Sequence, residues 1–70
     1  MTVVKVLELV GESSAGWQEA ASNAIAEAGR SVNNIVACEI INWTANVSDG
    51  EIREYKANVK VAYVGDEGMH

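Results

Sequence analysis

The residues able to do chemistry are few and scattered. The single cysteine, Cys38, stands in N-I-V-A-C-E-I-I-N-W-T, residues 34–44, between Ala37 and Glu39 in an otherwise apolar run. A thiol acts as a nucleophile when a neighbouring base or positive charge activates it. No histidine accompanies this one, because the single His70 is the last residue. No Cys/His set has metal-ligand spacing, and one cysteine cannot form an intrachain disulfide. Gly11 and Gly16 are too few and too far apart for a dinucleotide fingerprint. No Ser/His/Asp set or phosphate loop occurs. The expectation is a binding protein, not an enzyme. Glu39 is then the acid to watch. It could pair with Lys56 or Arg53 across a hairpin or between subunits, or join symmetry-related carboxylates that hold a divalent cation. Trp43 could pack at an interface or form a ligand wall.

The elements that position these residues follow from periodicity. Residues 2–10 are rich in Val and Leu and read as a strand. Residues 11–16, G-E-S-S-A-G, read as a loop. From Trp17 the period changes: Trp17, Ala20, Ala21, Ala24, Ile25, Ala28 and Val32 recur at helical spacing. Gly16 or Ser14 would be the N-cap, Glu19 suits the positive end of the helix, and Asn33-Asn34 ends it. The stripe is mostly alanine, which lets a sheet approach closely. Residues 35–47 form a second strand, Asp49-Gly50 signals a tight hairpin, and residues 51–64 form a third. A parity change near Glu54 marks a bulge. Residues 65–70 form a C-terminal tail that frays.

The order β-α-β-β gives an α+β domain over residues 1–64. With strand three in the middle, the sheet is a three-stranded antiparallel one with the helix on one face. Alternation puts Cys38 on the face of Ile40, packed toward the helix, and Ala37, Glu39, Ile41 and Trp43 on the other. That other face still carries apolar residues and needs a cover, which a second subunit would supply.

Size and charge narrow the function. A chain of 70 residues buries only about 60% of its unfolded surface. Without disulfide or metal, oligomerisation is the remaining source of burial. An apolar content of 49% points the same way, since a monomer this small could not hide it. Ten acids against five bases give a formal charge of −5. With no basic cluster, nucleic acid and anionic lipid are excluded as partners, whereas cations and neutral ligands are not. No apolar run approaches the roughly 20 residues that span a membrane. A free thiol and the absence of an export signal point to the cytoplasm.

Several stretches resemble a known family. V-x-K-V-L-E-L-V-G-x-S, then W-x-x-A-x-x-N-A-I-x-x-A, then V-A-x-E-I-I and D-G-x-I-x-x-Y-x-x-x-V-K-V occur in order from residue 4 to about 64. Together they resemble the dodecins. The resemblance implies a sheet curled around one helix, twelve copies assembled into a hollow sphere, storage or sequestration of flavins (riboflavin or FMN), and no turnover reaction. In flavin-binding dodecins a tryptophan two residues before a glutamate stacks on the isoalloxazine ring, and a glutamine after an aromatic residue bonds its edge. Those positions fall here on Ala37, two before Glu39, and on Lys56, after Tyr55.

Both ligand positions depart from the family pattern. Stacking on an aromatic face is worth about 1–3 kcal/mol per ring, and each 1.4 kcal/mol is tenfold in affinity. A lysine only donates hydrogen bonds, whereas an amide donates and accepts. The pattern is closer to a subgroup with a small residue at the stacking position and a basic one at the glutamine position, some of whose members have been linked to calcium. The expectation is therefore a dodecin-like homododecamer that binds or stores a small ligand or ion without the usual flavin sandwich. The alternatives are flavin sequestration and a structural or protein-interaction module. The metal ligands, if a cation binds, are not assigned.

Overall fold

Helix and sheet meet through small side chains, and that sets everything else in the fold. The computed structural model describes residues 3–65 and contains β1 (Val4–Ser13), α1 (Trp17–Ser31), β2 (Ile35–Ser48) and β3 (Glu51–Val64). Residues 1–2 and 66–70, including His70 and most of the expected tail, lie outside the described residues. The sheet order is β1-β3-β2 and both pairings are antiparallel, so β3 is central as anticipated.

Strand β1 runs on to Ser13, three residues past the expected end, and Gly11, Glu12 and Ser13 pair with Ala57, Lys56 and Tyr55. The glycine that reads as a loop signal is in fact a close-approach residue. A Cβ built on Gly11 would lie 1.9 Å from the Ala20 carbonyl oxygen and 2.9 Å from the Ala24 Cβ. Only a residue with no side chain lets the helix backbone cross the strand there.

Ala20, Ala21, Ala24 and Ala28 form the buried stripe of α1. They pack on Ala57, Val59 and Val61 of β3, with Leu7, Leu9, Ile25, Ile35 and Ile40 partly buried around them. Gly16 is the N-cap and has no side chain to bond the first turn. Ser13 supplies that order instead: its Oγ accepts from the Ala15 N–H at 2.9 Å and donates to the Glu19 carboxylate. Glu19 thus sits at the positive end of the helix. At the other end the Val32 N–H donates to Ala28 O at 2.9 Å, and Asn34 (φ 62°) turns the chain into β2.

The β2–β3 hairpin closes on the Ser48–Glu51 pair, with Asp49 and Gly50 at φ 54° and 75°. Positive φ at both central residues is the type I′ requirement. The register shifts between Ile35 and Ala37, between Ile40 and Asn42, and between Asn46 and Val47. The last leaves Arg53 unpaired on β3, the bulge expected near Glu54. The second leaves Ile41 unpaired on β2, and nothing in the alternation announced it. The two bulges lie on opposite strands, so their offsets cancel. Between them, residues 42–46 are turned over relative to a straight count from the turn.

Candidate functional site

Residues opposite each other in an antiparallel pair share a face, so the register sorts the sheet. The helix side holds Leu7, Leu9 and Gly11 of β1, Ala57, Val59 and Val61 of β3, and Cys38 and Ile40 of β2. The open side is arranged in rows across the three strands. Val6, Ala62 and Ala37 form an apolar row; Glu8, Lys60 and Glu39 form a charged one. Val10, Asn58 and Asn42 come next, and then Glu12, Lys56 and Thr44.

The expected ligand positions Ala37, Glu39 and Lys56 all lie on this open face, but Lys56 stands apart from the other two. Ala37 is opposite Ala62, and Lys56 is opposite Thr44. Six residues of β3 separate these rows, about 20 Å of strand. Ala37 and Glu39, with Val6, Cys38, Lys60 and Ala62, line a depression of about 240 Å³. A neighbouring depression of about 400 Å³ is lined by Glu8, Leu9, Val10, Ile41, Asn42 and Asn58. Between the rows, the Asn58 side-chain amide donates to Asn42 Oδ1.

Three expectations need correction. Across the hairpin, Glu39 stands opposite Lys60, not Lys56 or Arg53. Arg53 lies 3.2 Å from Glu51, and Lys56 lies 3.6 Å from Glu12 of β1. Counting back from the two-residue turn would have found Lys60, because the two bulges cancel before Glu39 is reached. Glu12 could not be found so, since it reads as loop.

Cys38 does sit on the helix side, opposite Val61, yet its side chain is exposed rather than packed. The helix lies over β1 and β3 and scarcely touches β2, the outer strand of the pair. Alternation gives direction; it cannot give the width of the cover.

Trp43 does not share a face with Ala37. The Ile41 bulge turns it to the helix side, opposite Ala57, where it remains 48% exposed. It stands in the register beside an aromatic group at the start of α1. There Trp17 packs edge-on against Tyr55 with ring centroids 4.7 Å apart, and its Nε1–H donates to Thr44 O at 2.8 Å. Trp17 is thus an anchor between helix and hairpin, as its place on the stripe suggested, though a half-exposed one.

Among the described residues, no group of three or more His, Cys, Asp or Glu side chains is placed to hold a metal ion. None of their helices is long and apolar enough to cross a membrane.

The dodecin family model matches residues 3–66 of this sequence. The chain belongs to the dodecin family. Among dodecins, the calcium dodecin of Mycobacterium tuberculosis is 29% identical over 63 residues, which cover 90% of this chain and 89% of the relative. The crystal structure of that calcium-chelating antigen, described as having a novel calcium-binding site, superposes with a TM-score of 0.80 over 93% of both chains. A dodecin from Streptomyces davaonensis is 27% identical and matches with a TM-score of 0.88 over 94% of this chain and 97% of its own. The β-α-β-β dodecin fold, with its antiparallel sheet and single helix, is therefore the fold of this chain.

Proposed function

We propose that this chain is a self-assembling binding protein, a hollow homododecamer that holds a small ligand or ion without an aromatic flavin sandwich. The observation that carries the reading is the open face. Ala37 offers a methyl group where a stacking ring would stand, and Lys56 lies several rows away on the same chain. A ligand that meets both positions has to lie between copies, so assembly completes the binding site.

Two further observations support assembly. Among the described residues, the only fully buried side chains larger than alanine are Val59 and Val61. The radius of gyration is 14.5 Å, against about 11 Å for a self-contained domain of this length. Val4, Val6 and Val10 meanwhile remain 58%, 60% and 57% exposed.

A divalent cation such as calcium is the ion we favour. The relative named calcium dodecin supports it, as do Glu8 and Glu39, which flank Lys60 on the open face. Carboxylates brought together by symmetry would supply oxygen ligands and relieve their own repulsion by taking a cation. Glu39 is the ion contact we would test first. Trp43, turned from this face, would wall a ligand only from a neighbouring copy. A flavin such as riboflavin or FMN is the second reading, favoured by the mainly apolar row Val6–Ala62–Ala37 beside the smaller depression. Neither reading includes a reaction, and the protein would work in the cytoplasm.

Native mass spectrometry tests the assembly: a mass near twelve chains is expected, and a clean monomer would sink it. Riboflavin titration, read by fluorescence quenching, tests the site. The natural chain should quench weakly, and Ala37→Trp combined with Lys56→Gln should gain affinity. No gain would mean that the two positions are wrongly placed. Calcium calorimetry after chelator treatment should show binding that Glu39→Gln weakens.

A further inference from the structure

Glu12 and Lys56 are directly opposite in the β1–β3 register, and their charged ends lie 3.6 Å apart on the open face. Thr44 flanks Lys56 on the other strand. The carboxylate does not hang from a loop. Strand β1 reaches Glu12 because Gly11 lets the helix close on it. The Glu12 carbonyl accepts from Asn23 Nδ2 at 2.8 Å, and the next residue, Ser13, is buried and bonded to Glu19. Glu12 is thus held in register from both sides of its backbone.

Glu54, two residues along the same face of β3, accepts instead from Asn46 Nδ2 at 3.4 Å. Without Glu12, Lys56 would have no acid paired to it and would draw phosphate or carboxylate groups. With a carboxylate beside it the local charge is near zero, and an incoming anion meets the acid as well as the base. We propose that Glu12 is a specificity-determining residue, neutralising Lys56 so that this position takes uncharged or cationic ligands and turns away anionic ones. The proposal rests on the reading above that ligand reaches Lys56. It adds that the lysine at this position acts as half of a neutral pair.

The test is calorimetry of the assembled protein with pyrophosphate as the anionic probe and riboflavin as the uncharged one, at one ionic strength. Charges at this separation in water interact enough to change affinity about five- to tenfold. Glu12→Gln should therefore strengthen pyrophosphate binding by that factor and leave riboflavin unchanged. Glu12→Asp should restore the natural behaviour, and Glu12→Gln combined with Lys56→Gln should abolish the gain. Glu12→Thr serves as a second neutralising variant should Glu12→Gln fail to assemble. Equal pyrophosphate binding by the natural chain and the neutralised variants overturns the proposal, as does a gain that survives loss of Lys56. The underlying reading fails separately: Lys56→Ala with unaltered calcium and riboflavin binding removes Lys56 from the ligand site, while the pyrophosphate comparison still scores Glu12.

Discussion

The two faces of the sheet are built on opposite plans. The helix face is narrow and dry: alanines of α1 close on Ala57, Val59 and Val61, and one glycine lets the backbones meet. The open face has valines as large as any in the core, yet they stand in rows with Glu8, Lys60, Glu39, Glu12 and Lys56. Over β1 and β3 the first plan is complete within one chain. The second is a set of half-contacts, apolar enough to need cover and charged enough to choose it. The difference teaches that this chain packs one side of its sheet with its own residues and leaves the other side open.

Substitutions should separate the two faces, and the largest effect belongs to the closed one. Gly11→Ala places a methyl group against helix backbone that cannot rotate away, so chemical denaturation should show a loss of at least about 3 kcal/mol, or no folded protein. Val59→Ala empties part of the same face and should cost about 2 kcal/mol. Val6→Lys is the matching probe of the open face. It should leave the circular-dichroism spectrum of a folded chain and lower the native mass from the assembled to a smaller species. A spectrum that collapses with it would show that the open face is structural too. Trp17→Phe keeps the ring against Tyr55 and removes the bond to Thr44 O. Denaturation should register about 1 kcal/mol. The smallest effect should come from Gly29→Ala: nothing lies within 4 Å of the added Cβ, and helix propensity should then raise stability by about 0.5–1 kcal/mol.

The closed face was legible almost residue by residue. The alanine stripe, the Asp49-Gly50 turn, the central third strand and the bulge near Glu54 are all local signals, and each lies where its residues put it. Gly11 is an exception, because a glycine that permits close approach looks the same as one that permits a turn, and the exposure of Cys38 on this face is another. The open face was legible only in outline. Its existence followed from surplus apolar residues, but the partners of Glu39 and Lys56 depended on register. The face of Trp43 depended on the Ile41 bulge, which follows from pairing with another strand and leaves no mark on the bulged residue itself.

The amino-acid order by itself determined the four elements, their sequence and the family to which they belong, because helix period, strand alternation and turn chemistry act over a few neighbouring residues. Only the tertiary structure decided that Cys38 points toward the helix yet stays uncovered, that Trp43 leaves the open face, and that Lys56 is matched by Glu12. Those outcomes depend on which strand lies beside which, how far the helix reaches, and where one extra residue shifts the ladder.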